Sequence, residues 1–229
     1  MRQITRIQIF GERCSGTNYL ESLLIQNLDD ITLRWDFGHK HFFHQPGVSH
    51  ADDCLFIIIY RDLFDWLRSL HQQPYHAAPE LRNIPFSEFI RRPWWCVWDE
   101  ESDKTPTSPL YGKEMMFERN PRTGERFRNV IRLRADKIRN WESLRKKTRH
   151  YFYVQYETLK EAPDMFIETI TDAFNLTSKN EFRNVEGYRG DGIKYQPKPY
   201  DVIQANDYRY IMRHVDGALE KKIGYDIMY

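Results

Sequence analysis

Two glycines, Gly11 and Gly16, frame the part of the sequence whose residue types most directly suggest chemistry. An apolar stretch at 4–10 precedes them, and leucines at helical spacing follow at 20–28. This pattern predicts a strand, a tight loop and a helix. In that arrangement consecutive backbone N–H groups and the helix N-terminus converge, so that they can bind a phosphate or sulfate group. The loop is therefore a candidate anion-binding site.

The residues after Gly16 differ from those of a Walker A loop. That motif continues with Lys and then Ser or Thr, where this chain has Thr17 and Asn18. The Lys that contacts the outer phosphates and the hydroxyl that binds Mg²⁺ are therefore missing from these positions. The sequence favours an anion other than a Mg²⁺–nucleoside triphosphate, and we expect no metal ion at the site.

Other polar residues lie at or just after predicted strand ends. They are His39, Lys40, His41 and His44, after a short strand at 31–35; Arg61, after the apolar run 54–60; and Tyr156, in a strand candidate at 151–159. In open parallel sheets, ligands bind at the carboxyl ends of the strands. We therefore expect these residues to lie at the same edge of the sheet as the loop 11–18.

Strand and helix patterns alternate along the chain. The run 54–60, CLFIIIY, is typical of a strand that is buried on both faces of a parallel sheet. Helical patterns lie at 63–73, 131–147, 163–176 and 206–222. The alternation predicts an α/β fold with an open, mostly parallel, three-layer sheet flanked by helices.

The stretch 74–130 differs from the rest of the chain, because prolines interrupt its periodicity throughout. We predict an insert over the sheet, within a single domain of residues 1–229. A short helix is expected near 86–92, and a hairpin that turns at 121–124. The basic helix that follows is expected to expose its positive face to solvent. Its predicted buried residues are Leu133, Ile138, Trp141 and Leu144.

The composition argues against several classes of protein. The 229 residues carry a net charge of +1, which is against bulk attraction to nucleic acid or to an acidic membrane. No apolar run has the length of a membrane span, and the N-terminus lacks a signal-like apolar core. The three scattered cysteines indicate a reducing compartment and form no zinc or disulfide pattern. We therefore expect a cytoplasmic protein.

The loop sequence CSGTNY, residues 14–19, resembles the 5′-phosphosulfate loop of the sulfotransferases that use 3′-phosphoadenosine 5′-phosphosulfate (PAPS), commonly K-S-G-T-T-W. The resemblance implies that Gly16, Thr17 and Asn18 bind the 5′-phosphosulfate, and that Tyr19 takes the adenine-stacking position. It also implies the P-loop-NTPase-like fold of that family. The implied donor-binding loop as a whole is Arg13, Cys14, Ser15, Gly16, Thr17, Asn18 and Tyr19.

Three later segments extend the resemblance. In YRDLFDWLRS, Arg61 and Ser69 are similar to the family's 3′-phosphate site, where an Arg ends a strand and a Ser follows on the next helix. The Arg can supply paired donors to a phosphate and the Ser a third. VQYETLKEAP resembles a Y-E-x-L segment that would put Tyr156 near the adenine. GYRGDG, at 187–192, is similar to a late loop over the 3′-phosphate, which would assign Arg189 to it.

The family's loop lysine, which stabilises charge on the bridging oxygen, falls on Cys14 in this chain. We infer that Arg13 takes over this role, since Arg stays cationic and donates in a fork. The alternative is a site without its cation and a protein without activity.

His41 is the first choice for the base that accepts a proton from the acceptor. A His beside a Lys after an early strand resembles the family's base region, and Lys40 would assist electrostatically. His39, His44 or a carboxylate are the alternatives. Alternation along an extended segment would place His39 and His41 on one face and Lys40 on the other.

The resemblance implies a PAPS-dependent sulfotransferase that moves a sulfuryl group to a hydroxyl or amine acceptor. The acceptor would be a small molecule or a glycan, and Trp94, Trp95 and Trp98 of the insert suit stacking on a sugar or a planar ring. Two alternatives stay open: a P-loop nucleotide kinase or NTPase, and a non-catalytic nucleotide-binding module of the same fold. Neither nucleic acid nor a membrane is expected as a partner, and the sequence specifies no oligomeric state.

Overall fold

A computed structural model of the protein describes residues 3–102, 104–185 and 199–227. The chain divides into two compact units, Met1–Asp62 with Trp141–Pro199 and Leu63–Asn140 with Tyr200–Tyr229. Within the described residues, an open, all-parallel sheet of four strands flanked by helices confirms the predicted α/β class and is consistent with a three-layer fold. The interpretation of 74–130 as an insert within a single domain stays a prediction.

The sheet belongs to the first unit. Its strands are β1 (Arg6–Gly11), β2 (Thr32–Leu33), β3 (Cys54–Tyr60) and β4 (His150–Gln155), and their spatial order is β2-β1-β3-β4. All three pairings are parallel. Each strand therefore ends at the same edge of the sheet, which is the edge where the loop after Gly11 begins. The strand predicted at 151–159 ends earlier, because Tyr156 already begins a helix.

One face of the sheet packs against helices α1 (Thr17–Asn27), α5 (Tyr156–Glu161) and α6 (Pro163–Phe174). Their apolar stripes and the alternate strand residues form one buried cluster, to which Leu20, Leu23, Leu24, Leu55, Ile57, Ile59, Phe166, Ile167 and Ile170 all contribute. The helical periodicity predicted α1 and α6 correctly, including the α6 stripe. Only Phe174, at the end of that stripe, is half-buried rather than buried.

The other face of β1 and β3 is covered by aromatic side chains of the same unit. Trp141 stacks on Phe10 with ring centroids 6.3 Å apart and lies 6.4 Å from the Tyr60 ring. Its Nε1 donates a hydrogen bond of 3.0 Å to the carbonyl oxygen of Phe42. Every residue of β3 is buried, so the interpretation of the run 54–60 as a strand covered on both faces is confirmed.

The second unit contains five helices among its described residues. Its helices are α2 (Leu63–Gln72), α3 (Phe86–Phe89), α4 (Val130–Glu142, whose last two residues belong to the first unit), α7 (Ala205–His214) and α8 (Gly217–Lys222). Short 3₁₀ turns along the chain lie at Val48–His50, Pro79–Leu81, Glu100–Ser102, Met116–Glu118 and Ser143–Lys146. The single helix predicted at 206–222 is wrong, since extended backbone at Val215 ends α7 and the Asp216 carboxylate caps α8. No helix among the described residues is long and apolar enough to cross a membrane.

The hairpin predicted around 121–124 is wrong as well, although the turn itself forms. Asn120 and Glu125 close it through a backbone hydrogen bond of 2.9 Å. The two flanks do not pair with each other. Phe127 instead forms a bridge with Trp94, and Glu114 forms one with Val97.

The basic helix α4 buries Leu133, Ile138 and Trp141 as predicted, and Leu144 is buried in the 3₁₀ turn that follows, but the positive face of α4 is only partly solvated. Arg134 is buried and donates 2.6 and 2.8 Å hydrogen bonds to the two carboxylate oxygens of Glu220. Lys137 is buried in an ion pair with Glu118. Among the cations of α4, Arg132 and those farther round the helix are exposed to solvent. The expectation of a fully solvated face fails because both partner carboxylates come from distant segments of the chain.

Candidate functional site

The loop between β1 and α1 is a tight turn with an unusual backbone. The Ser15 hydroxyl donates a 2.6 Å hydrogen bond to the carbonyl oxygen of Glu12, and the Ser15 N–H donates to the same oxygen at 3.2 Å. Cys14 and Gly16 have left-handed backbone, with φ of 62° and 90°, whereas Arg13 and Ser15 do not. Such alternation turns neighbouring N–H groups toward a common concavity, which is the geometry that binds anions.

Helix α1 begins directly after this turn, with Gly16 as its N-cap residue. Within the described residues no side chain caps its N-terminus, and no acidic residue lies in its first turn. The first N–H groups of a helix have no partner inside the helix, and the helix dipole adds partial positive charge there. The predicted turn and helix N-terminus therefore lie at the same place, and the binding of an anion by their backbone donors stays a prediction.

Both framing glycines are required by close packing. A Cβ on Gly16 would lie 2.4 Å from Cδ2 of Tyr156, and a Cβ on Gly11 would lie 2.6 Å from Cγ2 of Ile59. Gly11 therefore lets β1 lie close against β3. Gly16 lets the Tyr156 ring lie directly against the loop.

Arg61 joins the end of β3 to the same loop. Its Nη1 donates a 2.8 Å hydrogen bond to the carbonyl oxygen of Cys14, and its Cζ lies 4.9 Å from the centre of the Tyr156 ring. The guanidinium is nearly buried, with 8% of the residue exposed. The structure therefore brings the loop, Arg61 and Tyr156 together, as expected for residues that follow parallel strands. Their role in binding a donor stays a prediction.

Arg13 places a second cation beside the loop. Only 3% of the residue is exposed, and its Cζ lies 5.7 Å from the centre of the Phe42 ring. Its charge also reaches His41, because Arg13 contributes to the lowered pKa of that imidazole. The side chain therefore extends toward the histidine-rich segment rather than into solvent.

The segment that carries the histidines is a turn, so the expectation of an extended segment with alternating faces is wrong. Gly38 has φ of 112°, and the Phe42 N–H donates a 2.9 Å hydrogen bond to the carbonyl oxygen of His39. The turn nevertheless places the rings of His39 and His41 edge to face, with centroids 5.2 Å apart. The grouping of these two imidazoles is thus correct, but its cause is the turn and not strand alternation.

His41 is held in one tautomer by the loop. Its Nδ1 lies 2.8 Å from the carbonyl oxygen of Gly11, and because a carbonyl can only accept, Nδ1 carries the proton. The remaining nitrogen, Nε2, then has the lone pair. Burial, and after it the charges of Arg13 and Lys40, hold the pKa of His41 well below its usual value. The imidazole is therefore neutral near pH 7 and able to accept a proton.

Lys40 ties this turn to α1. Its Nζ donates 2.6 Å hydrogen bonds to Oδ1 of Asn18 and to Oε2 of Glu21, and the side chain is almost fully buried. Its backbone carbonyl accepts from the Gly11 N–H at 2.9 Å. The side chains of Lys40 and Asn18 are thus hydrogen-bonded to each other. The assisting role of Lys40 and the contact of Asn18 with the sulfuryl donor stay predictions.

The remaining predicted residues are more dispersed. His44 Nε2 lies 3.2 Å from the Ser143 hydroxyl and 3.3 Å from Nζ of Lys147. Tyr19 packs against the core, and its hydroxyl donates to Oδ1 of Asn184 at 3.2 Å. Ser69 lies on α2 in the second unit and is partly exposed. Arg189 falls outside the described residues.

The three tryptophans of 74–130 belong to the second unit. Trp94 is buried, Trp95 is covered by the Arg126 guanidinium at 3.8 Å from its centre, and Trp98 lies 5.8 Å from Nζ of Lys104. A tryptophan missing from the predicted site residues, Trp35, lies against His39. The sequence feature that could have identified Trp35 is its position at the end of a predicted strand, just before the histidine cluster.

Comparison with known proteins adds no relative: no protein-family model matches the chain, and no curated protein sequence matches it. Among the described residues, no group of three or more His, Cys, Asp or Glu side chains is placed to hold a metal ion. The chemical capacity of the site therefore has to be derived from its own residues. They offer backbone donors and two arginines for an anion, and one neutral imidazole with a lone pair.

Proposed function

We propose that the protein is a PAPS-dependent sulfotransferase with a P-loop-NTPase-like sulfotransferase fold, which transfers a sulfuryl group to a hydroxyl or amine acceptor. The observation that carries this proposal is the 2.8 Å hydrogen bond from Arg61 Nη1 to the Cys14 carbonyl oxygen. A donor with phosphate at both ends needs one anion site at the β1–α1 loop and a second cationic site beside it. The contact between Arg61 and the loop meets that requirement.

In this proposal the backbone N–H groups of 14–16 and the N-terminus of α1 bind the 5′-phosphosulfate. Arg61 binds the 3′-phosphate through its guanidinium. The donor role that the sequence assigns to Ser69 stays a prediction. Tyr19 and Tyr156 contact the adenine. Tyr156 suits that place, because its ring already lies against both Gly16 and Arg61.

Arg13 supplies positive charge where charge develops on the departing phosphate. A buried guanidinium acts in surroundings of low dielectric, where its interaction with an anion is stronger than in water. It is cationic at every relevant pH, so it can replace the loop lysine whose position Cys14 occupies. The contribution of Cys14 to this site is its backbone, because its carbonyl oxygen accepts from Arg61.

The transfer itself consists of one bond formed and one broken. The acceptor oxygen or nitrogen bonds to sulfur, the bond from sulfur to the bridging phosphate oxygen breaks, and the electron pair leaves on that oxygen. The acceptor proton moves to Nε2 of His41. The neutral tautomer fixed by the Gly11 carbonyl leaves that nitrogen ready to accept. Sulfuryl transfer of this kind depends on positioning and electrostatics, which the loop and its two arginines supply.

Calorimetric titration with 3′-phosphoadenosine 5′-phosphate (PAP), and with ATP in the presence and absence of Mg²⁺, tests the proposal. We expect PAP to bind more tightly than ATP and Mg²⁺ to have no effect on PAP. Tighter binding of Mg²⁺–ATP would contradict the proposal and favour a nucleotide kinase or NTPase. PAP binding without transfer from PAPS to any acceptor would favour a non-catalytic nucleotide-binding module.

A further inference from the structure

Trp35 is an aromatic side chain left open beside the candidate site. All six tryptophans of the chain lie within the described residues, and Trp35 alone among them is exposed, with 49% of its surface accessible. It follows β2 at the carboxyl edge of the sheet, where the β1–α1 loop also lies. A single exposed aromatic residue is common on protein surfaces. The residues around Trp35 distinguish it from such an isolated surface residue.

The indole is held in place by its neighbours. Nζ of Lys40 lies 5.5 Å from the ring centre, and the His39 ring meets it edge to face at 5.0 Å. Lys40 is itself fixed by its ion pair with Glu21 at 2.6 Å. Because these contacts occupy only part of the indole, the rest forms an open apolar surface with a fixed orientation.

His39 and His41 present complementary hydrogen-bonding atoms next to that surface. The backbone N–H of His41 donates to Nδ1 of His39 at 3.3 Å, so Nδ1 is the accepting nitrogen and the ring proton is on Nε2. His41 has the opposite tautomer, because its Nδ1 donates to the Gly11 carbonyl oxygen. One ring therefore offers a donor and the other an acceptor. A hydroxyl group, which both accepts and donates, matches this pair.

Polar side chains border the open indole, since Lys40 lies over its ring and His39 lies against it. Asp36, the next residue in the chain, pairs with Arg6 at 2.7 Å and with Arg34 at 3.4 Å. Pockets for small organic ligands are concave and mostly apolar. An open aromatic face with a polar rim suits a sugar ring instead, whose C–H face can cover the indole while its hydroxyl groups contact the rim.

We propose that Trp35 and His39 form the acceptor subsite, and that the acceptor is a sugar whose ring stacks on Trp35. Its reacting hydroxyl accepts from His39 Nε2 and donates to His41 Nε2. This assignment rests on the proposed sulfotransferase function and narrows its acceptor to a carbohydrate. It also places the acceptor on Trp35 rather than on the tryptophans of 74–130.

The test uses the full chain and four variants, Trp35→Ala, Trp35→Phe, His39→Ala and Trp95→Ala. Each is titrated with PAP, with N,N′-diacetylchitobiose and maltose as sugar probes, and with 2-naphthol as a planar aromatic alcohol. We expect the wild type to bind at least one sugar and Trp35→Ala to bind it about 10-fold more weakly, the order of effect for one lost stacked ring. Trp35→Phe should retain most of the affinity. Trp95→Ala, which removes another tryptophan that has a cation over its ring, should retain all of it.

A fluorescence measurement distinguishes the loss of sugar binding from misfolding of a variant. We expect sugar to change the intrinsic tryptophan emission of the wild type, and Trp35→Phe to lose this change while its unfolding temperature stays the same. His39→Ala should weaken sugar binding by about 5-fold, the order of effect for one neutral hydrogen bond, with PAP binding unchanged.

The outcomes separate the two proposals. If PAP binds but no sugar does, if 2-naphthol binds in preference, or if Trp35→Ala binds sugar as well as the wild type, the acceptor subsite is wrong and the sulfotransferase function is untouched. If PAP does not bind but sugar binding depends on Trp35, the sulfotransferase function is wrong and Trp35 belongs to a sugar-binding site. Loss of sugar binding in Trp95→Ala alone would move the subsite to the second unit.

Discussion

The guanidinium of Arg61 donates a 2.8 Å hydrogen bond to the carbonyl oxygen of Cys14, a residue with left-handed backbone. A non-glycine residue in this conformation costs on the order of 1–3 kcal/mol and persists only where its surroundings enforce it. The hydrogen bond from Arg61 is one such restraint, and the turn closed by Ser15 is another. The end of β3 thus helps to hold the β1–α1 loop in the shape that presents its N–H groups.

Gly16→Ala should destabilise the protein by about 2–4 kcal/mol, because it adds left-handed strain and overpacks the Tyr156 ring. Gly124→Ala is the matched control. Gly124 has φ of 72°, but a Cβ there would meet nothing within 4 Å. It should therefore cost only the backbone strain, about 1 kcal/mol. Urea unfolding of the two variants measures the difference, and equal losses would show that Tyr156 does not press on the loop. Gly16→Ala should also weaken PAP binding, which Gly124→Ala should not.

His41 should govern the acid limb of activity. Because its pKa lies well below 6.5, turnover of PAPS should stay level from pH 8 to pH 6.5 and fall only at lower pH. His41→Ala should lose on the order of 10²-fold or more in kcat. Near-normal turnover by His41→Ala would remove it as the base.

The same imidazole should make stability depend on pH. Below pH 6.5 the unfolded chain binds a proton that folded His41 resists, so the free energy of unfolding should fall as the pH drops toward the lowered pKa. His41→Gln should reduce this slope. His44→Gln is the comparison, since burial lowers the pKa of His44 too. Urea unfolding at pH 7.5, 6.5 and 5.5 measures both slopes, and a slope unchanged in His41→Gln would contradict the lowered pKa.

Lys40→Met should act on both stability and the His41 pKa. It leaves the Glu21 carboxylate without its 2.6 Å partner in a mostly buried place, at a cost of about 1–3 kcal/mol. It also removes one of the charges that lower the pKa of His41, so that pKa should rise toward 6.5. NMR titration of the His41 ring measures the shift. The double variant Lys40→Met/Glu21→Gln should regain part of the stability but keep the raised pKa. A pKa that does not move would mean that the charge of Lys40 contributes little to it.

Lys137→Met should destabilise the second unit strongly. It leaves Glu118, which also accepts from Cys96 and Trp94, as a buried carboxylate without its cation. Loss of one partner of a buried ion pair typically costs about 3–5 kcal/mol. Arg132→Met, an exposed cation on the same helix, should stay within about 0.5 kcal/mol of the wild type. Thermal unfolding compares the two, and similar values would mean that the Lys137–Glu118 pair contributes little.

Local patterns in the sequence were enough to predict the elements that position the site. The run at 54–60 became β3 with the predicted bounds, and the glycine frame became a turn before α1. Strand ends at one edge also placed Arg61 and Tyr156 beside the loop. These predictions succeeded because periodicity and strand direction are properties of neighbouring residues.

What the sequence did not predict depends on contacts between distant residues. Lys40 is fixed by Glu21, and Arg134 by Glu220, across separations that no periodicity records. The turn that joins the imidazoles of His39 and His41 depends on the left-handed backbone of Gly38. Trp35 gains its place beside them only through that turn. The donor, the acceptor and the roles of the site residues stay predictions.

The most direct measurement compares PAP with adenosine 5′-phosphate, which lacks the 3′-phosphate, on the wild type and on Arg61→Gln. Arg149→Gln, an exposed arginine at the amino end of β4, is the control that should change neither affinity. If Arg61 binds the 3′-phosphate, its loss should weaken PAP about 10–100-fold more than it weakens adenosine 5′-phosphate, the order of effect for a charge-assisted hydrogen bond. Adenosine 5′-phosphate should weaken only as far as the loop loses the restraint from Arg61. If both ligands weaken equally, or neither weakens, the loop and Arg61 do not bind the two ends of one donor, and the central claim is contradicted.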